Sequence, residues 1–348
     1  MINKLHTVIS ENTNPYENIA LEEYLLNNVE AGECILYLWQ NRKTVVIGRN
    51  QNPWKECDFE ALKAEGGFLA RRLSGGGAVF HDLGNLNFTF IVRSEDYDTQ
   101  RQTEVILRAV NKYGINAVRT GRNDIEVDGK KFSGNAFYKT DQGCYHHGTI
   151  LINVDNAEMA KYLNPPAAKL KSKGVDSVRS RVTNLIEYAP HMDIKGMMAA
   201  LIEAFGEVYG AKAELLDPQD LLAEGNTPCE GNTPAEKPTS PQANFLGRQG
   251  YSIGERAEFF GSWEWIFGRR IPFNFAEEKH FDWGNGELQL CVSEGIIQDA
   301  KVYSDDLARS NFDEVCNEFI GRRFERGTVC DIWNEIEKRR EASWKDTI

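Results

Sequence analysis

No apolar run in the sequence reaches the roughly 18 residues that a membrane-spanning helix needs, so we expect no membrane partner. The opening stretch, MINKLHTVISENTNPYENIA, also lacks the long apolar segment of a secretory signal. The seven cysteines are scattered and form no CxxC pair, which argues against a disulfide framework and against a zinc site. Together these absences favour a protein of the reducing cytoplasm.

Positive charge is also in deficit. The formal net charge is -12, which argues against a nucleic-acid partner but leaves room for a local basic patch. The 348 residues exceed the length of one typical domain, and hydrophobic residues make up 41% of them. We therefore expect two domains and enough apolar material for a large core.

Hydrophobic spacing and cap residues predict both helices and strands. A helix should begin after the N-cap residue Asn14, with Pro15 in its first turn and Glu17 placed for a capping-box contact. The apolar runs CILYLW (34–39) and TVVIG (44–48), joined by a polar turn, predict a β-hairpin. Further predicted elements are strands at 85–92 and 148–154 and helices at 103–114 and 194–210. Because these elements follow no regular βαβ order, we expect an α+β fold with mixed or antiparallel sheets flanked by helices.

A proline-rich stretch separates two blocks of the chain. Residues 224–245, EGNTPCEGNTPAEKPTSPQANF, predict a mobile surface loop or linker. After it, FDWGNGELQLCV predicts a hairpin that turns at its GNG sequence, 284–286. The remaining predicted elements are a strand at 296–305 and short helices near 311–320 and 328–340. We expect a large domain at 1–250 and a small α+β C-terminal domain at 260–348.

The run RRLSGGGAVFHDLGN (71–85) places three consecutive glycines after two arginines. It contains neither the G-x-G-x-x-G fingerprint of dinucleotide sites nor the G-x-x-x-x-G-K-[ST] of a P-loop. The chemistry can still be similar, because glycines let backbone N–H groups approach an anion closely and arginines add positive charge. Taken alone, the run predicts either a phosphate-binding loop or a glycine-rich turn before a strand.

Two further segments place polar residues beside apolar strands. GRNDIEVDGKKFSGNA (121–136) puts acidic residues and two lysines around a VDGK turn, where a lysine is usually a solvated surface residue. YHHGTILINVD (145–155) puts two histidines before a strand. Adjacent strand residues point to opposite faces, so we expect one histidine inside and one outside rather than a metal-binding pair.

Together these segments resemble the motifs of lipoate–protein ligases. The resemblance rests on RRLSGGGAVFHDLGNLNFTF, GRNDIEVDGKKFSGNAFY and HHGTILINVD, followed in the family's order by LKSKGVDSVRSRVTNL (170–185). The segment SWEWIFGRRIPFNF (262–275) is similar to the start of the family's C-terminal accessory domain. The resemblance covers nearly the whole chain, and the main departure from it is the proline-rich stretch around 226–241, which looks like an insertion.

The resemblance implies a two-step reaction that uses ATP. Lipoate and ATP give lipoyl-AMP and diphosphate, and the amine of a specific lysine on an acceptor domain then attacks the anhydride and releases AMP. The implied acceptors are E2 subunits of 2-oxoacid dehydrogenase complexes and the glycine cleavage H protein. The implied catalytic fold of the large domain is the one shared with biotin ligases and related to class II aminoacyl-tRNA synthetases.

The resemblance also implies roles for individual residues. Lys131, the second lysine of DGKK, is expected to contact both the lipoate carboxylate and the α-phosphate, while the first lysine is solvated. Asn123 and Asp124 are expected to orient the adenylate, or Asp124 to help place Mg²⁺. His147 and Thr149 are expected to border the lipoyl pocket. The residues expected around the nucleotide are Arg72, Ser74, Gly75, Gly77, Ala78, Val79, Phe80 and His81.

The acceptor side is open to more than one interpretation. The stretch from 169 to 181 is basic in an otherwise acidic chain, through Lys169, Lys171, Lys173, Arg179 and Arg181. These residues could steer an acidic acceptor domain towards the site. They could equally contact the nucleotide or form a solvated surface.

Other functions remain open at this point. A cysteine-dependent octanoyl- or lipoyl-transferase of the same fold would need an activated thiolate near the acyl carbonyl, and Cys144 is the candidate, although a small residue filling space near a strand start is the favoured interpretation. A biotin ligase, a transferase that accepts only preformed lipoyl-AMP, and a non-catalytic protein that binds carrier domains are further alternatives. The DGKK segment and the accessory domain favour the ligase that uses ATP.

Overall fold

The computed structural model describes residues 2–121, 123–164, 182–225, 252–268, 270–308 and 310–347. The described strands are β1 (Lys4–Ile9), β2 (Glu33–Trp39), β3 (Thr44–Ile47), β4 (Phe68–Arg71), β5 (Val79–His81), β6 (Asn85–Arg93), β7 (Val118–Thr120), β8 (Asp124–Val127), β9 (Lys130–Lys139), β10 (Gly143–Leu151), β11 (Glu214–Leu216), β12 (Phe275–Phe281), β13 (Gly284–Ser293) and β14 (Ile296–Ser304). The described helices are α1 (Pro15–Asn28), α2 (Pro53–Glu56), α3 (Phe59–Ala64), α4 (Thr99–Asn111), α5 (Asn156–Tyr162), α6 (Ile194–Tyr209), α7 (Pro218–Gly225), α8 (Ile253–Phe260), α9 (Trp263–Ile266), α10 (Phe312–Phe319) and α11 (Arg326–Thr347), with 3-10 turns at Ser94–Asp96 and Leu185–Glu187.

The central element is an eight-stranded sheet in the order β11-β1-β2-β6-β10-β9-β8-β7. Strands β2, β6, β10 and β9 pair antiparallel, whereas β1 pairs in parallel with both β2 and β11. A second mixed sheet has the order β4-β3-β5, and β12-β13-β14 form an antiparallel sheet near the C-terminus. The predicted α+β fold with mixed sheets and flanking helices is confirmed.

Both faces of the large sheet are covered, which explains why the sequence of β2 is almost continuously apolar. Tyr37 and Trp39 belong to a hydrophobic core that also contains residues of α1, α8 and the small mixed sheet. Leu36 and Leu38 belong to a second core with residues of α4 and α6. Successive strand residues face opposite sides of a sheet, so a strand covered on both sides buries an apolar side chain at each position.

A third hydrophobic core lies within the C-terminal part of the chain. It joins β13 to α11, for example through Leu290 and Trp333. The predicted small α+β C-terminal domain is therefore confirmed. Side chains between residues 253 and 267 belong instead to the core that contains α1. The domain bounds 1–250 and 260–348 stay a prediction.

The first helix begins as predicted but without the predicted capping box. Asn14 Oδ1 accepts the N–H of Tyr16 at 3.0 Å, so Asn14 is the N-cap. The N–H of Asn14 donates to Asn12 Oδ1 at 2.8 Å, and Glu17 Oε1 instead accepts from the side-chain amide of Asn14 at 3.0 Å. Helices α4 and α6 are also confirmed, and Gly210 ends α6 in the left-handed conformation that glycine adopts without strain.

The predicted hairpin between residues 34–39 and 44–48 is wrong. Strand β2 pairs with β1 and β6 in the large sheet, whereas β3 pairs with β4 and β5 in the small one. Both runs are completely buried. A short apolar run that is buried on both faces carries no alternation that would identify its partner strand. The polar turn between the runs therefore leads from one sheet to the other.

The predicted C-terminal hairpin is confirmed, but its turn lies elsewhere. Phe281 pairs with Gly284, so the turn consists of residues 282–283 and Gly286 lies inside β13. A Cβ atom on Gly286 would lie 2.8 Å from the Trp333 ring, so this glycine makes room for packing. Strand β14 pairs with β13 as predicted, and α10 and α11 lie near the predicted helices, with α11 longer than expected.

Two predicted features fall largely outside the described residues. The predicted linker at 224–245 is described only at its first two positions, which end α7. The basic stretch from 169 to 181, with most of the motif at 170–185, also lies outside the described ranges. Their predicted roles stay predictions.

Candidate active site

A cavity of about 340 Å³ lies between the glycine loop, residues 74–78, and strands β9 and β10. Part of its wall comes from the C-terminal domain. The lining consists of Ile19, Glu22, Trp39, Val46, Arg72, Gly76, Gly77, Ala78, Val79, His81, Asn87, Asn123, Asp124, Lys131, Gly134, Asn135, Ala136, His147, Gly148, Thr149, Trp283, Gly284, Asp305 and Leu307. The volume is in the range of small-molecule sites.

The β8–β9 hairpin brings Lys131 into this cavity. Asp128 and Gly129, both with positive φ (50° and 73°), form a tight two-residue turn of the kind that suits hairpins. Lys130 is exposed, whereas Lys131 is half-buried with its Nζ 2.6 Å from Asp124 Oδ1. A Cβ atom on Gly134 would lie 2.9 Å from Lys131 Nζ, so the missing side chain gives the ammonium its place.

Arg72 holds the glycine loop through hydrogen bonds to its backbone carbonyls. Its guanidinium is buried and donates to the carbonyls of Gly75 and Gly77 at 2.7 and 2.8 Å, and to Val46 O at 3.2 Å. Burial lowers the pKa of Arg72 to about 10, and the group remains a cation at neutral pH. The loop carbonyls thus surround a fixed positive charge.

The three glycines of the loop meet different surroundings. Gly76 has φ +90°, and its N–H donates to Asp306 O of the C-terminal domain at 2.7 Å. A Cβ atom on Gly75 would lie 2.1 Å from the same carbonyl, so that close approach needs a glycine. A Cβ atom on Gly77 would meet nothing within 4 Å. Positive φ, close approach to the C-terminal domain and an open cavity wall are thus three separate properties.

Asn123 is held against β9 beside the lysine. Its side-chain amide donates to Asn135 O at 2.9 Å, and the Asn135 side chain donates back to Asn123 O at 3.0 Å. On the next strand, Thr149 Oγ1 accepts the N–H of Gly134 at 3.2 Å. These contacts join β9 to its neighbours and hold the wall around Lys131.

The two histidines of YHHG are both buried, so the expectation of one inside and one outside is wrong. His147 faces the cavity, and its Nε2 lies 2.7 Å from Ser74 Oγ. His146 points to the other face, where its ring lies against those of Phe88 and Phe137. The opposite orientation was predicted correctly, but the sheet is covered on both sides, so His146 is only 1% exposed and His147 8% exposed.

Cys144 lies on the same strand as the histidines but does not line the cavity. Its side chain is fully buried, Sγ donates to Ser94 Oγ at 3.4 Å, and burial raises the thiol pKa. A buried thiol with a raised pKa is a poor nucleophile. This placement agrees with the space-filling interpretation of Cys144.

Most of the residues expected from the sequence meet at the cavity. Those on its wall are Arg72, Gly77, Ala78, Val79, His81, Asn123, Asp124, Lys131, His147 and Thr149. Ser74, Gly75 and Phe80 do not line it: Ser74 is fully buried, Gly75 meets the C-terminal domain, and the Phe80 ring stacks on Tyr162.

The sequence interpretation missed the parts of the wall that lie far from the motifs. Glu22 of α1 is three residues after Ile19 and three before Leu25, on the apolar stripe of the helix, and is 1% exposed. A carboxylate on such a stripe is the signal that could have identified it. Trp39 and Leu307 carried no such signal, because apolar residues at strand ends and in loops are common.

Comparison with known proteins gives the chain its family. Residues 14–206 match the lipoyl protein ligase A/B catalytic domain, and residues 270–345 match the bacterial lipoate protein ligase C-terminus. A lipoate-protein ligase A from Psychrobacter cryohalolentis is 40% identical over 342 residues, which cover 96% of this chain and 93% of that protein.

Solved structures agree in fold. The crystal structure of P. falciparum LipL1 in complex with lipoate has a TM-score of 0.74 and 29% identity, and covers 97% of this chain and 98% of that chain. A lipoate-protein ligase A bound with ATP has the same fold, with a TM-score of 0.58 and 23% identity over 77% of this chain and 99% of that chain. With a catalytic-domain model and a C-terminal model matched in order, the chain belongs to the lipoate–protein ligase family.

Proposed function

We propose that this protein activates lipoate with ATP to lipoyl-AMP and diphosphate, and then transfers the lipoyl group to a lysine of an acceptor domain. The observation that carries the proposal is the shared cavity of the Lys131 ammonium and the glycine loop. The related lipoate-protein ligase A and the lipoate complex of LipL1 support lipoate as the acid that is activated.

Lys131 supplies the positive charge that the first step requires. The lipoate carboxylate and the α-phosphate are both anionic, and negative charge concentrates between them in the transition state. A fixed ammonium between the two stabilises that state more than the separated reactants. In the second step the same ammonium stabilises the phosphate as AMP leaves. The residue at 131 needs a compact charge, which lysine provides better than the planar guanidinium of arginine.

The rest of the cavity suits the other parts of lipoyl-AMP. Gly77, Ala78 and Val79 line the cavity on the side of the glycine loop, and we propose that their backbone groups contact the nucleotide there. Ile19 and Trp39 form an apolar surface on the opposite elements for the alkyl chain and dithiolane, with His147 and Thr149 bordering it. The apolar surface stabilises the acyl tail by removing it from water.

Asp124 fits a Mg²⁺ ion that arrives with ATP. Mg²⁺ usually takes one or two protein carboxylates and receives its other ligands from phosphates and water. Within the described ranges no three His, Cys, Asp or Glu side chains could hold a metal by themselves, and Asp124 is the carboxylate beside Lys131. Bound Mg²⁺ would neutralise polyphosphate charge, and Asp124 would be the protein residue that holds it.

The C-terminal domain shares a contact with the proposed nucleotide cradle. The N–H of Gly76 donates to Asp306 O, so this N–H can bind a phosphate only after the contact opens. We expect the C-terminal domain to shift when the adenylate forms, as the family resemblance implies. Limited proteolysis with and without lipoate plus ATP tests this; an identical cutting pattern after residue 225 would count against it.

The proposed acceptors are E2 subunits of 2-oxoacid dehydrogenase complexes and the glycine cleavage H protein, in the cytoplasm. These acceptors and this location rest on the family resemblance. Within the described residues, no helix is both long and apolar enough to cross a membrane. Whether the basic stretch from 169 to 181 steers acidic acceptors or contacts the nucleotide stays open, because these residues lie outside the described ranges.

A transferase that accepts only preformed activated lipoate is the second candidate, because it would use much of the same pocket. The two candidates differ in the first step. Lipoate-dependent release of diphosphate from ATP, measured without an acceptor, is expected for the ligase. Absence of that release, together with lipoylation from supplied lipoyl-AMP, would favour the transferase.

A further inference from the structure

A continuous chain of hydrogen bonds runs from helix α1 to the glycine loop. Glu22 Oε1 lies 2.9 Å from His147 Nδ1, and His147 Nε2 lies 2.7 Å from Ser74 Oγ. Arg72 Nε lies 3.1 Å from the same Ser74 oxygen, and the Arg72 guanidinium also holds two carbonyls of the loop. The chain therefore joins the acyl side of the cavity to the proposed nucleotide side.

The donors along this chain all point towards Glu22. Glu22 Oε1 accepts from Thr89 Oγ1, so we assign it as the acceptor for His147 as well, with the ring hydrogen of His147 on Nδ1. Nε2 is then an acceptor, and the Ser74 hydroxyl donates to it. The Ser74 oxygen keeps a lone pair for the N–H of Arg72. Glu22 thus selects the histidine tautomer that allows the whole chain to form.

A second hydrogen bond holds the Glu22 carboxylate, and Glu22 also lines the cavity. Thr89 Oγ1 donates to Glu22 Oε1 at 2.7 Å, and Trp39 Nε1 donates to Thr89 Oγ1 at 3.1 Å. The second carboxylate oxygen, Oε2, is buried and has no hydrogen-bond partner within the described residues, while Glu22 belongs to the cavity wall. One carboxylate oxygen, Oε1, therefore makes both hydrogen bonds, the one with Thr89 and the one with His147.

Ser74, His147 and Glu22 are linked by hydrogen bonds in the order of a serine–histidine–acid triad, but the surroundings of Ser74 do not suit a nucleophile. An active serine presents its oxygen to the substrate carbonyl. Ser74 is 0% exposed, does not line the cavity, and its oxygen accepts from Arg72. In this arrangement each group instead fixes the position of the next one through a hydrogen bond.

We propose that Glu22 is a positioning residue for the glycine loop: through His147, Ser74 and Arg72 it holds the loop in the geometry that binds the nucleotide. Without the carboxylate, the ring hydrogen of His147 is no longer held on Nδ1. The Ser74 hydroxyl then loses its fixed acceptor, and the contact between Ser74 and Arg72 is no longer held in place. The proposal rests on the proposed function only in naming ATP as the nucleotide. The ordering of the loop is independent of any catalytic activity.

The direct test is backbone amide exchange in peptides that cover residues 74–78, measured on the full chain by mass spectrometry. Glu22→Met removes the carboxylate while filling its space, so the fold should persist. We expect exchange in the loop to rise about tenfold, the effect of losing one charge-assisted hydrogen bond. Glu22→Gln keeps an acceptor oxygen for His147 and should restore exchange to within about threefold of the original protein.

The adjacent Glu23 supplies a matched control. It is also a buried glutamate of α1, but its carboxylate pairs with Arg256 of α8, with Oε1 2.6 Å from Nη2. Glu23→Gln should lower stability without a selective rise of exchange in residues 74–78. A loop that exchanges equally fast in the Glu22→Met and Glu23→Gln proteins would overturn the proposal, because both changes would then act through stability alone.

A double substitution separates a connected chain from two independent sites. Ser74→Ala interrupts the chain next to the loop. If the chain acts as a unit, Glu22→Met should add little to Ser74→Ala, in both loop exchange and the KM for ATP. The proposal would be contradicted if the effects of Ser74→Ala and Glu22→Met on loop exchange and on the KM for ATP multiplied in the double variant. It would also be contradicted if Glu22→Met changed only the KM for lipoate. Absence of lipoyl-AMP from the unaltered protein would instead contradict the proposed function and leave the exchange result valid.

Discussion

Replacement of Lys131 by alanine should nearly abolish formation of lipoyl-AMP. Removal of one fixed donor from a site that stabilises developing negative charge typically lowers the rate by roughly 10²–10³, or about 2.7–4 kcal/mol. The structure places Lys131 Nζ in the cavity, 2.6 Å from Asp124, with the glycine loop on the other side of the same cavity. The assay is lipoate-dependent diphosphate release, with lipoyl-AMP measured directly by mass spectrometry.

The stability of the fold should hardly change. The side chains of Lys131 and Asp124 are about one-third exposed, at 34% and 33%, and such pairs contribute at most about 1 kcal/mol. The expected loss of transition-state stabilisation is several times larger than that. A folded Lys131→Ala protein with an unchanged unfolding midpoint and lost adenylation would therefore assign the effect to chemistry.

The neighbouring Lys130 is the matched control. Its side chain is exposed and outside the cavity, so Lys130→Ala should keep most of the activity. Lys131→Arg should recover little, because the guanidinium is longer and planar. Near-normal adenylation by Lys131→Ala, or a larger loss in Lys130→Ala, would refute the reasoning.

Three further predictions concern the loop, the thiol and the buried histidines. Gly76→Val should reduce both stability and ATP affinity, since φ is +90° and a Cβ atom would lie 2.9 Å from Arg72 Nη2. Gly77→Ala should fold normally and raise only the KM for ATP, because a Cβ atom there would meet nothing within 4 Å. Equal KM values in Gly77→Ala and the original protein would contradict a close backbone contact with the nucleotide. Cys144→Ala should keep most acceptor lipoylation, and complete loss in a folded protein would indicate a thiol mechanism. Burial lowers the pKa of His81 and of His146 from 6.5 to about 3, so between these pH values the unfolded chain binds more protons than the folded chain. The free energy of unfolding should therefore fall as the pH drops through that window. Urea denaturation at pH 7 and pH 5 should show a smaller fall for His146→Gln than for the original protein, and an equal fall would contradict this assignment.

The sequence predicted the elements whose signals are local. Asn14 begins α1 and Gly210 ends α6 because cap geometry depends on a few adjacent residues. The motif residues from 71 to 149 could be placed at one site because the family resemblance joined them. Lys131 and Asp124 come together in the structure as neighbours on the β8–β9 hairpin.

What the sequence did not predict depends on contacts between distant elements. The partners of β2 and β3 were missed because both strands are buried on two faces, so their apolar runs identify no neighbour. The burial of both His146 and His147 follows from helices and sheets that cover each side of β10. Glu22 joins the site from α1, more than a hundred residues before its partner His147, and spacing along the chain could not show that contact.

The most direct test of the central claim is the intact mass of an apo acceptor domain after incubation with the protein, Mg²⁺ and free lipoate, with and without ATP. We predict a lipoyl mass gain that requires ATP and is lost with Lys131→Ala but kept with Cys144→Ala. A gain without ATP, or a gain only from supplied lipoyl-AMP, would contradict the assignment as an ATP-dependent lipoate–protein ligase.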